Sequence, residues 1–294
     1  MGTRKTKVVI IINPISGVGK QGVIETLAPQ VINASLVEYE IVYTQYAGHL
    51  TELCKHYATL NYDVVCAVGG DGTMHEAANG LIHSLTALCI IPTGSGNGLA
   101  RHLHISLRLK KALQQLNSTK RISIDCVQFN HTHFVNVAGI GFDAHVAHAF
   151  ANAGSRGLKT YIKMCMRSIR AFKPITVALT TNDNKTVQGT YFIVAIGNAS
   201  QYGNNATICP IAELRNGTMC VTLVKPMSWW QLPMFLTRLF TSKLKQNKYI
   251  QFIEANAITL TQSASIAHLD GEAITNATTI HCKIVPNALS VVVV

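Results

Sequence analysis

Acidic residues are scarce in this chain: its 294 residues carry 14 Asp and Glu against 25 Lys and Arg, a formal charge of +11. That imbalance favours anionic partners, among them nucleotides, nucleic acids and acidic membranes, without choosing between them. The eight cysteines form no Cys-x-x-Cys pair and sit mostly inside apolar runs, so neither a zinc site nor a disulfide framework is expected, and their usage fits a reducing cytosol. No stretch reaches the ~18 uninterrupted apolar residues of a membrane span. The basic Arg4-Lys5-Thr6-Lys7 with Val8 to Ile12 is too short for a secretory signal and runs straight into Asn13-Pro14, so the Asn-x-Ser/Thr triplets carry no weight. Internal repeats and low-complexity linkers are also missing, and a hydrophobic content of 48% suffices for one large or two medium cores.

What is present centres on Asp63-Val64-Val65-Cys66-Ala67-Val68-Gly69-Gly70-Asp71-Gly72-Thr73-Met74-His75-Glu76. The apolar run reads as a strand buried on both faces, and it stops at Gly69, Gly70 and Gly72. Thr73 and Glu76 have capping-box spacing, which predicts Thr73 as the N-cap of a helix running to about His83 and ended by Asn79-Gly80 or a little later. The glycines let backbone N–H groups and a helix N-terminus converge on phosphate. Asp71 then needs a divalent cation between itself and the phosphate, or a proton from an attacking hydroxyl; both are phosphoryl-transfer roles. The alternative is a plain Gly-Asp-Gly turn with a solvated carboxylate.

Val8 to Ile12 is another apolar strand, followed by Asn13-Pro14-Ile15-Ser16-Gly17-Val18-Gly19-Lys20-Gln21-Gly22. Gly17-x-Gly19-x-x-Gly22 formally matches the dinucleotide fingerprint, but the strand near Leu36 to Tyr43 ends in Thr44-Gln45 without the acidic residue that motif wants. The P-loop fails as well, with Pro14 at its first glycine and Gln21 at its magnesium hydroxyl. A glycine-rich loop with one lysine remains, whose structural alternative is an ordinary turn. Gly48 to Leu60 reads as a helix, and Leu88 to Pro92 as a third buried strand leading into Thr93-Gly94-Ser95-Gly96-Asn97-Gly98. Strands alternating with helices over the first 125 or so residues predict a parallel Rossmann-like sheet with ligands beyond its carboxyl ends.

After Arg121 the segments 122–129, 134–137, 175–179, 189–196, 218–224, 249–252, 257–261, 279–284 and 289–294 read as strands with few helices between them, a mainly antiparallel sandwich or barrel. The exception is a cationic amphipathic helix over Arg156 to Lys173, with Arg156, Lys159, Lys163, Arg167 and Arg170 on one face; it reads as a solvated surface or as a contact with anionic lipid. Ser228 to Phe240 is unusually aromatic and reads either as an interfacial helix or as core.

Asn13-Pro14 with Gly17 and Gly19-Lys20, Gly69-Gly70-Asp71-Gly72-Thr73 with Glu76 and Asn79-Gly80, and Pro92-x-Gly94-Ser95-x-Asn97 with Ala100-Arg101 together resemble the catalytic domain of the diacylglycerol kinase family. That family includes bacterial lipid kinases and the sphingosine and ceramide kinases. The likeness continues through Gly139-x-Gly141-Phe142-Asp143-Ala144, Gly197-Asn198, Tyr202-Gly203, Pro210-x-Ala212, Asn216-Gly217 and Asp270-Gly271-Glu272, so it spans essentially the whole chain. It implies an α/β nucleotide-binding domain over 1–126, related in fold to NAD kinase and phosphofructokinase. It also implies a β-sandwich lipid domain over 127–294, whose last strand can return to the first domain, with ATP and Mg2+ in the cleft between them. Nucleotide contacts are implied for Asn13, Gly17, Lys20, Thr44, Gly69, Gly70, Gly72, Thr73, Gly94, Ser95 and Asn97, and catalytic or metal roles for Asp71 and Glu272. Asp143 and His145 fall at the lipid site; sphingosine kinases carry an aspartate where His145 stands. Asn216-Gly217 and Cys220 replace the acidic residues that support a second magnesium in bacterial relatives.

The activity so implied is transfer of the γ-phosphoryl group of ATP to a hydroxyl of a diacylglycerol-like or sphingoid-type lipid, by a cytoplasmic protein in peripheral contact with anionic membrane. Nucleic acid is not an expected partner, and a homodimer is left open. The rivals are an NAD kinase, which should show an Asn-Glu pair that this chain lacks, and a catalytically silent nucleotide-dependent lipid binder.

Overall fold

The computed structural model describes residues 4–16, 22–118, 120–151, 158–275 and 277–293, excluding the side chains of Leu158, Lys159, Tyr161 and Ile162. It divides into two units, Met1–Ile124 with Asn287–Val294, and Asp125–Pro286.

In the first unit, strands β1 (Thr6–Ile12), β2 (Val37–Tyr43), β3 (Val64–Gly69) and β4 (Ala87–Pro92) alternate with helices α1 (Val23–Val31), α2 (His49–Thr59) and α3 (Asp71–Leu81), and α4 (Gly98–His102) and α5 (Leu109–Gln114) follow. The strands pair in the order β2-β1-β3-β4, all parallel. Successive side chains of a strand point to opposite faces. Val8, Ile10, Val64, Cys66 and Cys89 share one core with Ile24 and Ala28 of α1 and Leu113 of α5. Val9, Ile11, Val65, Ala67 and Ile90, on the other face, are equally buried. Runs apolar on both faces thus become inner strands with helices on each side, and β1, β3 and β4 deliver their loops to one sheet edge.

One expectation about α3 needs correction. Its N-cap is Gly70, not Thr73, and no side chain caps it; the helix starts directly as the strand ends, which leaves Thr73 at its third position. The helix ends at Leu81, a little after Asn79-Gly80 as expected. Gly80 is where α2 crosses: a Cβ there would lie 2.5 Å from the Cys54 Cβ and 2.7 Å from the Thr51 carbonyl oxygen.

The second unit is built from β5 (Arg121–Phe129), β6 (Thr132–Phe134), β7 (Val137–Gly141), β8 (Ile175–Thr181), β9 (Thr186–Tyr191), β10 (Ile193–Gly197), β11 (Met219–Val224), β12 (Ile250–Ala255), β13 (Ala257–Gln262), β14 (Ala267–Leu269), β15 (Glu272–Ile274) and β16 (Thr279–Val292). Its helices are α6 (Phe142–Ala151), α7 (Leu158–Ser168) and α8 (Leu232–Phe240). One antiparallel sheet runs β16-β13-β8-β9, with β5 beside β16 and β6 beside β5; the other runs β12-β11-β10-β7-β14-β15. Their inner faces share a core that includes Phe134, Leu179, Val194, Val221, Leu260 and Ile280. The outer face of the second sheet, through Val137, Ile193, Ala195 and Cys220, packs on Val146 of α6 and on Phe235 and Leu239 of α8.

Several strand expectations change here. Residues 134–137 are not one strand: the chain turns at Val135-Asn136, and β6 and β7 belong to different sheets. Residues 189–196 divide likewise at Phe192 into β9 and β10. Alternation along the chain carries no mark of a change of sheet. The two strands expected at 279–284 and 289–294 are one 14-residue strand, β16, whose end lies in the first unit with Val291 opposite Leu88 in parallel pairing. Helix α6 was not anticipated, nor was the short pair β14 and β15. The cationic helix is α7; Arg156 and the Lys159 side chain lie outside the described residues, while Lys163, Arg167 and Arg170 are exposed.

Candidate functional site

At the carboxyl end of β3, the first-turn N–H groups of Asp71, Gly72 and Thr73 have no carbonyl partner within α3. The half-buried Asp71 carboxylate points at the loop after β4: Oδ2 accepts the Asn97 N–H at 2.8 Å and Oδ1 accepts the Gly98 N–H at 2.7 Å. The negative group thereby satisfies two donors at the start of α4 while sitting at the start of α3, the favourable pole of a helix. Asp71 is therefore more than the solvated carboxylate of a plain turn, because it clamps two loops together.

The glycines permit that clamp. A Cβ on Gly94 would lie 2.5 Å from the Gly70 Cα and 2.9 Å from the Asn97 side-chain oxygen, so only bare backbone fits where the loops touch. Asn97 sits at φ 53° and donates its side-chain amide to the Gly94 carbonyl at 2.7 Å, and Arg101 Nε donates to the Gly96 carbonyl at 3.0 Å. Ser95 is left exposed at the tip. On α4, burial and then the neighbouring His104 push the His102 imidazole below its usual pKa, towards the neutral form.

Of the other residues in this unit, Asn13 follows β1 and its amide nitrogen lies 3.4 Å from the Thr73 hydroxyl, joining the β1 and β3 loops; its side-chain oxygen accepts the Ile15 N–H at 3.0 Å. Gly69 is buried under that hydroxyl, since a Cβ there would be 2.1 Å from Thr73 Oγ1. Thr44 is buried at the end of β2 and its N–H bonds the Ile12 carbonyl at 3.0 Å. Gly17 and Lys20 lie outside the described residues.

In the second unit Asp143 opens α6 and is buried. Its Oδ2 accepts the Tyr202 hydroxyl at 2.5 Å and lies 3.2 Å from His268 Nε2, while Oδ1 accepts the Ala144 N–H at 2.9 Å. A Cβ on Gly139 would fall 1.9 Å from that Oδ2, which is why the strand beneath carries glycine. His145 is half-buried, its ring 5.6 Å from that of Phe172. Tyr202 and His268, the partners of Asp143, were not foreseen as a group: they come from 59 and 125 residues away. Asp270 and Gly271 form the turn between β14 and β15, at φ 52° and 92°. The buried Asp270 carboxylate accepts the N–H groups of Val135, Asn136 and Val137 at 3.1, 2.8 and 3.1 Å. Glu272, two residues on, is exposed and makes no hydrogen bond or ion pair among the described residues.

A family model described as the diacylglycerol kinase catalytic domain matches residues 7–129, and one described as the YegS C-terminal NAD kinase beta sandwich-like domain matches residues 136–293. A Yersinia pestis (strain Pestoides F) protein named "Probable lipid kinase YegS-like" is 30% identical over 251 residues, 82% of each chain. A Yersinia pseudotuberculosis (serotype IB, strain PB1/+) protein of the same name matches to the same extent. The chain belongs to the YegS-like lipid kinase family. Among solved structures, a diacylglycerol kinase from Bacillus anthracis str. Sterne has a TM-score of 0.77 at 20% identity, covering 99% of this chain and 97% of that one. Yeast NADH kinase complexed with NADH scores 0.53 at 10% identity, covering 99% and 84%. At these identities the likeness is one of fold: a parallel α/β domain followed by an antiparallel two-sheet domain.

For this YegS-like chain the nucleotide and the metal can be tested against the site. The loops after β3 and β4 present bare glycine backbone and a helix start, the chemistry that holds phosphate oxygens. Asn97 Oδ1 and Thr93 Oγ1 are buried there without a hydrogen-bond partner among the described residues. The glycine backbone and the Thr93 hydroxyl, which can donate, fit a triphosphate, whereas the Asn97 oxygen only accepts and calls for a donor such as a water or a hydroxyl. Among the described residues no three His, Cys, Asp or Glu side chains gather into a cluster.

Proposed function

We propose that the chain transfers the γ-phosphoryl group of ATP to a hydroxyl of a diacylglycerol-like or sphingoid-type lipid. The observation that carries this reading is the clamp of Asp71 across the β3 and β4 loops, which holds two glycine-rich backbones and two helix starts as one phosphate-facing surface. Phosphoryl transfer asks a protein mainly for positioning and electrostatic stabilisation, and a preset backbone surface supplies both without reorganising at the moment of reaction.

Gly70, Gly72, Thr73, Gly94 and Ser95 would hold the phosphates, with Asn13 and Thr44 beside them at the ends of β1 and β2. Asp71 and Glu272 are the carboxylates proposed as metal ligands. Magnesium, when bound, offsets triphosphate charge and polarises the transferring group. Glu272, exposed and without a hydrogen-bond or ion-pair partner among the described residues, accepts the proton of the lipid hydroxyl. Asp143, tied to Tyr202, His268 and the Ala144 N–H, positions the start of α6 in the lipid domain. The acceptor being a bilayer lipid, the protein works as a peripheral cytoplasmic enzyme; no helix among the described residues is long and apolar enough to cross a membrane. The exposed Lys163 and Arg167 of α7, with Arg170 just past its end, support contact with an anionic surface, at about 1 kcal/mol for each cation.

Incubation with γ-labelled ATP and a panel of diacylglycerol, monoacylglycerol, sphingosine, ceramide and NAD tests the reading. Label in a lipid phosphate is expected. Label in NADP alone would replace it with the NAD-kinase reading that the yeast NADH kinase fold keeps open, and no label in any acceptor, with ATP bound, would leave the silent lipid binder.

A further inference from the structure

Helix α8 is apolar at every position except Thr237 and Arg238, yet only part of that apolar surface is covered. Phe235 and Leu239, four residues apart, are buried on the outer core of the second sheet, whereas Met234, Leu236 and Phe240 stand 52%, 41% and 48% exposed. In the turn just before it are Trp229 and Trp230, both of the chain's tryptophans, 80% and 64% exposed. Large apolar side chains left contiguous on a surface mark a contact site.

The projection is held firmly. Gln231 Oε1 accepts the Ser228 N–H at 3.0 Å, the Ser228 carbonyl accepts the Gln231 N–H at 2.9 Å, and the Gln231 amide donates to the Tyr249 hydroxyl at 2.9 Å. The surrounding charge selects the occupant. From Lys225 to Ile250 there is no Asp or Glu, while Lys225, Lys243, Lys245 and Lys248 are exposed and Arg238 is half-buried. A cavity of about 240 Å³ continues the apolar surface inward past Met227, Met234 and Phe235, with Arg238 and Lys248 on its wall. Tryptophan and aliphatic side chains in a stretch whose only charges are cationic suit the interface of an anionic bilayer, where rings sit at headgroup level and each cation finds a phosphate. A second copy of the same surface would bring like charges together.

We propose that Trp229, Trp230 and the outer face of α8 insert into the headgroup layer of an anionic membrane and dock the lipid domain on it. The inference rests on the reading of the acceptor as a bilayer lipid, but its measurement does not depend on turnover. Because no other tryptophan is present, the intrinsic emission of the full chain reports this site alone. Vesicles of phosphatidylcholine with phosphatidylglycerol should move that emission to shorter wavelength, and brominated acyl chains should quench it; pure phosphatidylcholine should do neither. Trp229→Ala/Trp230→Ala should lose more than tenfold in vesicle flotation and keep its turnover of a dispersed short-chain lipid.

Flotation without a change in emission would move docking to another surface and overturn the proposal, as would absence of flotation. Emission already shifted without vesicles, with sedimentation as a dimer, would assign the face to a second copy instead. Shifted and quenched emission in a protein that phosphorylates no lipid would uphold the docking face and remove the kinase reading.

Discussion

The turn after β3 and the turn between β14 and β15 are written in the same letters, an aspartate beside a glycine, and both carboxylates are spent on backbone N–H groups. Asp71 takes two, from Asn97 and Gly98, and stays half-buried. Asp270 takes three, from Val135, Asn136 and Val137, and is only 4% exposed. The difference lies in what each carboxylate can still meet. Asp270 is enclosed and serves the fold, with Glu272 exposed two residues on, while Asp71 is only half-buried. An Asp-Gly motif therefore marks a place where backbone is gathered, and exposure decides whether a ligand can share it.

The largest expected effect tests the enclosed member. Asp270→Ala leaves three buried N–H groups without an acceptor, and a loss of about 4 kcal/mol in chemical denaturation is expected; a loss under about 1 kcal/mol would show that the turn holds without its carboxylate. Glu272→Gln neutralises an exposed carboxylate that makes no hydrogen bond or ion pair among the described residues. Its kcat should fall at least a hundredfold, about 2.7 kcal/mol in barrier, with the unfolding midpoint unchanged, and an unaltered kcat would take Glu272 out of the mechanism.

Asp71→Asn should move both readouts. An amide turned toward Asn97 N or Gly98 N meets a donor, so stability should drop by about 2 kcal/mol, and turnover should fall more than about tenfold. Turnover lost at full stability would mean that the clamp does not matter to folding. The smallest effect belongs to Gly271→Ala, where φ is 92° and a Cβ would meet nothing within 4 Å. Only the cost of a left-handed backbone remains, about 1 kcal/mol, with kcat retained if the hairpin is merely a scaffold for Glu272.

The parallel half of the fold was legible because Val64 to Val68 and Leu88 to Ile91 are apolar at every position, a pattern that buried inner strands alone require. The glycine loops were legible for the same local reason. The clamp was not, because Asp71 meets its donors 26 and 27 residues away and nothing in Gly-Asp-Gly names them. Thr73-x-x-Glu76 misled since a capping box read in letters assumes a loop before the helix, and here the strand runs into it almost directly. In the second unit, alternation found the strands but not the sheet to which each belongs, so β6 with β7, and β9 with β10, were merged. Ser228 to Phe240 had two readings because apolar letters do not say which side of a helix the core takes.

Strand β16 also sets an order in time. The edge of β4 that it covers leaves the ribosome well before the residues that cover it, since Val291 pairs with Leu88. A growing chain thus carries an open strand edge until those residues follow, a surface on which other chains can pair. A fragment ending at residue 124 keeps that edge permanently, so the parallel domain is expected to be soluble only when residues 287–294 are supplied with it, in the same chain or as a separate peptide.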